Sequence, residues 1–222
     1  MNTDKLTIIH ISDLHRSRDN PITNISLLSS LIRDVDLYAQ QGISKPDLVI
    51  VSGDIVQGSV NLNKAVEVIQ EQYEEALSFL NALAQELFNG DKSRIIIAPG
   101  NHDVCWAEST ESMTIIEESS VVCEKGKLKK DILQQAMKID SSVKWSWADR
   151  SFYRISDIDK YNKRLSYFCD FYHKFYDGKR SYSLEPNKQF DLFDFKTLGI
   201  TVVGFNSCFH NDHLNRAGSI NS

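Results

Sequence analysis

The chain has 222 residues, 41% of them hydrophobic and 25% charged, with a formal net charge of −5. That is the balance of a water-soluble globular protein, and no run of some 18 apolar residues exists, so no segment is expected to cross a membrane as a helix. The start, MNTDKLTIIHISD, lacks the basic-then-apolar pattern of a secretory signal, and the four cysteines (Cys105, Cys123, Cys169, Cys208) form no C-x-x-C pair or zinc spacing, so reduced thiols in a cytoplasmic protein are expected.

Charge is unevenly spread. Over residues 1–103, 14 acidic residues outnumber 8 basic ones; from Glu124 to Arg180, 14 basic residues outnumber 8 acidic ones. An acidic first half suits a cation site, and a basic middle suits a polyanionic substrate.

The first element is KLTIIHISD, Lys5 to Asp13, a short apolar run rich in β-branched residues that predicts a buried strand ending at Asp13. After a polar loop, a helix is predicted from about Thr23 to Gln41. Leu28, Leu31, Ile32, Val35 and Tyr38 share one face, and Gly42 lies just past its end. PDLVIVSGD, Pro46 to Asp54, is a second buried strand ending in a carboxylate. A long helix follows from about Lys64 to Phe88, with Ile69, Tyr73, Leu77, Leu80, Ala84 and Leu87 along its apolar stripe and Asn89-Gly90 closing it. SRIIIAPG is the third strand. Strand, helix, strand, helix, strand predicts a parallel α/β sheet with right-handed crossovers, whose ligands gather at the carboxyl ends of the strands.

Residues 104–190 carry no strand signal of comparable strength and are expected to form a largely helical insertion. Ile158, Tyr161, Leu165, Phe168, Tyr172 and Phe175 stand there at helical spacing before Gly178. Strand signals return in KQFDLFDFKTLGITVVGFNSC, Lys188 to Cys208, with a break at Leu198-Gly199.

Three strand ends carry the chemistry: Asp13-Leu14-His15, Gly53-Asp54 and Gly100-Asn101-His102-Asp103. Carboxylate, imidazole and amide together suit hard to borderline divalent cations such as Mn, Fe or Zn. Alternation would let Asp13 and His15 point the same way from an extended chain. The glycines before Asp54 and Asn101 would let the backbone turn sharply and leave room beside the ions.

In this order and spacing, DLH, GDI and GNHD resemble the calcineurin-like metallophosphoesterases, closely over residues 5–103 and loosely over 196–222. The resemblance implies a metallophosphoesterase-type α/β sandwich and two divalent metal ions, with Mn first and Fe, Zn or Mg as alternatives. It implies that Asp13 and His15 hold the first ion, Asp54 bridges both and Asn101 binds the second. It also implies that His102 touches the phosphate and protonates the leaving oxygen, while Asp103 orients His102 by hydrogen bonding. A dinuclear centre suits phosphoester hydrolysis because two cations about 3.5–4 Å apart clamp the phosphoryl oxygens and acidify water.

The family pattern has later parts, a strand ending in His and a G-H-x-H segment, that this sequence lacks. The sandwich is therefore expected to be C-terminally incomplete within residues 1–222, with further domains of a longer chain possible and the TVVGFNS region left with an uncovered apolar edge and face. His210 and His213 are the late histidines downstream of a strand; a loop facing the substrate, or the protein surface, is preferred to replacement ligands, and His213 is taken as a substrate-binding candidate.

Arg16 and Arg18 follow His15 at the rim, where a guanidinium could fork onto a phosphate, against the alternative of a solvated loop; Arg16 is the candidate chosen. His10 and His173 read as structural. The aromatics between Trp145 and Tyr182 read as packing rather than as a base-stacking surface, and Cys105 as packing. The expected activity is metal-dependent hydrolysis of a phosphoester, with a phosphodiester such as a nucleotide or nucleic acid preferred for the basic insertion. The alternative is a degenerate domain that binds a partner or nucleotide without turnover. No membrane partner is expected, and the sequence leaves the oligomeric state open.

Overall fold

The computed structural model describes residues 5–59, 61–122, 129–138, 141–216 and 218. Cys123 and the last residues, Ser219 to Ser222, lie outside them. The central sheet is built from β1 (Ile8–Ile11), β2 (Leu48–Ser52) and β3 (Ile95–Ala98), all parallel and in that spatial order. Ile8 stands opposite Leu48, and Ser52 opposite Ala98. All three strands therefore finish at one edge, the geometry that gathers ligands in open parallel sheets.

The two crossovers are the predicted helices. In α1 (Asn24–Leu37) Thr23 is the N-cap, its hydroxyl accepting from Ser26 N, and the following 3-10 turn ends at Gly42 with φ 70°. The Leu28, Leu31, Ile32, Val35 and Tyr38 face is only half-buried, so α1 lies on the rim of the core. α2 (Ala65–Phe88) is central. Ile69, Tyr73, Ala76, Phe79, Leu80, Leu83 and Ala84 are buried, and Asn89 ends the helix at φ 52°. Its buried face is wider than the predicted stripe because a third helix also packs on it: α7 (Ser166–Phe175), which stacks Phe171 on Tyr73 at 4.9 Å. Deleting a buried aromatic such as Phe79 would cost about 3–5 kcal/mol.

The described part of segment 104–190 holds more helix than strand, and it adds a small antiparallel sheet that its sequence does not signal. Between α3 (Trp106–Glu111) and α6 (Ile158–Lys163) it contains α4 (Glu118–Val121), α5 (Lys130–Ala136) and an antiparallel sheet. That sheet is β4 (Met113–Ile115), β5 (Val143–Ser146) and β6 (Ser151–Ile155), in the order β4-β6-β5. These strands are three to five residues long, and Lys144, Ser146 and Arg154 interrupt their apolar pattern, which hides them from a periodicity test. Among the described residues, Val121, Ile132, Val143 and Phe152 form a separate small core there. Leu165, Phe168, Phe171, Tyr172, Phe175 and Tyr176 belong to the main core instead. The predicted aromatic helix is broken in two at Arg164-Leu165.

The two strands expected around the Leu198-Gly199 break form, and β7 (Phe190–Phe195) pairs with β8 (Ile200–Phe205) around Gly199 at φ 66°. One face of this hairpin is uncovered: Phe190, Leu192, Val203 and Phe205 are exposed, with the Phe190 and Phe205 rings 6.3 Å apart. The other face carries buried Phe193, over which the Arg180 guanidinium stacks at 4.0 Å. No helix among the described residues is long and apolar enough to cross a membrane.

Candidate metal centre at the strand ends

The loops after β1 and β2 continue to pair beyond the sheet. His15 N donates to Asp54 O at 2.9 Å, Arg16 N to Ile55 O at 2.8 Å, and Gly53 N to Ala98 O at 2.9 Å. This extension carries the Asp13-Leu14-His15 and Gly53-Asp54 segments side by side above the sheet. Asp13, His15 and Asp54 all sit in the left-handed region, at φ 54°, 43° and 50°. Left-handed backbone at a non-glycine residue costs of order 1–3 kcal/mol and persists where the surroundings over-determine it, as they do at binding sites. The expected extended geometry of Asp13-Leu14-His15 is therefore corrected. Leu14 is buried in the core, and the curl brings His15 Nε2 to 3.8 Å from Asp13 Oδ1.

The two glycines act differently. Gly53 turns the chain at φ 81°. Gly100 has ordinary backbone at φ −121°, and its role is close approach. A Cβ there would meet Asp54 N and Asp54 Oδ1, each at 2.4 Å, so the third strand end packs directly on the second.

His15, Asp54 and His102 bring one donor atom each to within 4.8 Å of one another. Asp13, Asp54, Gly100 and Asn101 line a cleft of about 160 Å³ together with Ser207, Asn211 and Gly218. The His15 and His102 rings meet edge-on at 4.7 Å. His15 Nδ1 is buried and has no hydrogen-bond partner. An orphaned imidazole nitrogen among carboxylates and an amide, on backbone held in costly conformations, fits a divalent cation.

His102 is oriented by main chain rather than by Asp103. Its Nδ1 lies 2.7 Å from Gln57 O, and Asp54 Oδ1 accepts from His102 N at 2.9 Å. A carbonyl only accepts, so Nδ1 carries hydrogen and Nε2 is the exchangeable position. Gly58, at φ 73°, allows this approach, since a Cβ there would meet His102 O at 3.3 Å.

The expected Asp103–His102 hydrogen bond is replaced by another network. Asp103 is fully buried and accepts from Gly100 N at 2.8 Å, Ile55 N at 3.3 Å and the Tyr73 hydroxyl at 3.1 Å. It ties the second and third strand ends to α2 from beneath. Burial, with the Asp54 charge nearby, pushes its carboxyl from the ordinary 3.8 up to about 7, against the lowering effect of the two backbone bonds. Burial likewise pushes the Tyr73 hydroxyl well up, and the Asp103 charge adds to that.

Neither substrate-binding candidate lines the cleft. Arg16 is 2% exposed and donates from Nη2 to Ile22 O at 2.6 Å, so its guanidinium braces the loop before α1. Arg18 stays on the surface, 3.7 Å from Glu75. His213 does not line the cleft; its Nδ1 lies 2.9 Å from Ser109 Oγ on α3, and burial holds its ring below the ordinary histidine range. His10, read as structural, bonds Ser52 Oγ at 2.6 Å. Cys105 is buried, as packing requires.

Sequence reasoning missed Gln57, Ser207 and Asn211. Gln57 acts through its carbonyl, which no side-chain pattern reveals. Ser207 and Asn211 stand in FNSCFHND directly after β8, where a strand end pointing at the same edge is the available signal.

The sequence matches the family model described as calcineurin-like phosphoesterase over residues 6–213, and no curated protein matches the chain.

Proposed function

This chain belongs to the calcineurin-like phosphoesterase family, and on that premise we propose that it hydrolyses phosphodiesters of the nucleotide or nucleic-acid class with Mn as its metal. The family is one of metal-dependent phosphoester hydrolases that typically use two divalent ions. The observation that carries the reading is the convergence of His15, Asp54 and His102 within 4.8 Å, beside Asp13 and Asn101, at one edge of the sheet.

In this reading Asp13 and His15 hold one cation, Asp54 is shared and Asn101 serves the second. Bound there, the ions would polarise the phosphoryl oxygens and lower the pKa of an attacking water. The remaining work falls to the chain. His102, its Nδ1–H fixed on Gln57 O, delivers a proton from Nε2 to the leaving oxygen. Asp103 holds the Gly100 and Ile55 backbones, so the two loops keep one spacing. The surplus of basic residues from Glu124 to Arg180 supports an extended anion over a small phosphomonoester.

The test is a panel of p-nitrophenyl monoesters and diesters, cyclic nucleotides and single- and double-stranded DNA and RNA, each with Mn, Mg, Zn or Fe. Diester turnover above monoester turnover supports the reading. Metal binding without turnover of any ester would support the binding-module alternative instead.

A further inference from the structure

Arg216 is an exposed residue whose guanidinium is held in place. Its Cζ lies 3.9 Å over the Trp106 ring. Trp106 is nearly buried on α3, and its ring centroid stands 6.1 Å from that of His102. A row of rings, His15, His102, Trp106, thus runs from the metal centre to a cation. Asn211 and Gly218 both line the cleft with Asp13, Asp54 and Asn101, so in sequence Arg216 stands between two residues of the site's edge.

Residues 211–213 are well fixed. Arg164 Nε donates to Asn211 O at 2.9 Å, the Tyr161 hydroxyl to Asp212 Oδ2 at 2.9 Å, and His213 N to Ser109 Oγ at 3.2 Å. Among the described residues, no carboxylate or carbonyl takes the Arg216 N–H groups, and the guanidinium lies on the ring face. Stacking occupies the flat face of a guanidinium and leaves the in-plane fork of donors open. A pre-positioned open fork matches two oxygens of a phosphate. An arginine needed only for solubility would have no reason to lie flat on a nearly buried indole beside the site.

We infer that Arg216 is a substrate-binding residue that takes a second phosphate, the one next to the scissile group. The inference rests on the hydrolase reading above and adds substrate choice to it: substrates with neighbouring phosphates are favoured over a lone diester. The shared chemistry is an adjacent phosphate, ester-linked in an oligonucleotide or anhydride-linked in a nucleoside diphosphate.

Binding is read without turnover in the His102→Ala background, with Trp145→Phe and Trp147→Phe leaving Trp106 as the sole indole emitter. The Mn-loaded chain is titrated with the trinucleotide dTpTpT and with thymidine diphosphate over a range of NaCl, with and without Arg216→Ala. The expected result is about tenfold weaker binding of one of the two ligands, with a fall of about 0.7 in the slope of log K against log salt for the trinucleotide if that is the ligand affected. Which ligand responds identifies the linkage. With His102 restored, the ratio of kcat/KM for that ligand over bis(p-nitrophenyl) phosphate should drop about tenfold, and Arg216→Lys should recover part of it. Equal binding of both ligands by parent and variant overturns the inference. So does a loss of affinity matched by a lower Tm or weaker Mn binding, which would make Arg216 a clamp for residues 211–216. If the parent hydrolyses no ester at all, the hydrolase reading falls, while the titration still decides Arg216.

Discussion

Gly100 and Asp54 are in such close contact that a methyl group on Gly100 Cα would lie 2.4 Å from both Asp54 N and Asp54 Oδ1. No side chain other than hydrogen fits there without moving the carboxylate or the strand end. Gly100→Ala is therefore expected to fold, since its φ of −121° is ordinary, yet to displace Asp54. Retained Mn after gel filtration should fall at least about tenfold, in the range lost when groups supporting a ligand are removed. Far-ultraviolet circular dichroism should remain that of the parent.

His102→Ala is expected to slow turnover of a diester by about 10²–10⁴-fold, the usual contribution of a general acid. Metal content should change far less. The loss should shrink for p-nitrophenoxide leaving groups, which need little protonation, and grow for alkoxides. Equal losses across leaving groups would remove His102 from the acid role.

Asp103 should contribute stability to the metal-free protein that is lost as pH rises from about 4 to about 7. Over that window the folded state keeps a proton on Asp103 that the unfolded chain has released, because burial raises the carboxyl from 3.8 to about 7. Above about 7 both states are ionised and the slope contributed by this group ends. Asp103→Asn should flatten the slope: its carbonyl can keep the Gly100 and Ile55 N–H bonds, and its NH₂ can donate to the Tyr73 oxygen. Urea midpoints at pH 4.5 and 7.5 for both proteins measure it.

The frame of the site was legible because its parts are local. Three β-branched runs, two amphipathic helices and three polar strand ends can be read in sequence order, and the parallel register then brings Asp13, Asp54 and Asn101 to one cleft. What resisted reading depends on contacts between distant segments or on main-chain atoms. Arg16 follows His15 directly, but the Arg16 N to Ile55 O bond turns its side chain inward to Ile22. Asp103 follows His102 in sequence, yet the 3-10 turn that contains both points its carboxylate down to Tyr73. β4, β5 and β6 were hidden because short half-exposed strands carry little periodicity.

The uncovered face of the β7–β8 hairpin predicts self-association of residues 1–222. Leu192 and Val203 are cross-strand partners, 49% and 40% exposed, and lie beside the Phe190–Phe205 ring pair. Sedimentation velocity should show concentration-dependent growth in size, and the pair Leu192→Lys with Val203→Glu should suppress it while leaving circular dichroism unchanged.

The central claim is that the three strand ends form one metal centre with Asp54 at its heart, and the most direct measurement is metal content by elemental analysis after Mn loading and gel filtration, comparing the parent with Asp54→Asn. Asp54 shares the 4.8 Å donor cluster with His15 and His102 and lines the cleft with Asp13 and Asn101, so the account predicts that the parent retains Mn and the variant loses it at both positions, with hydrolysis of bis(p-nitrophenyl) phosphate falling in step. A variant that retains as much Mn as the parent would contradict it.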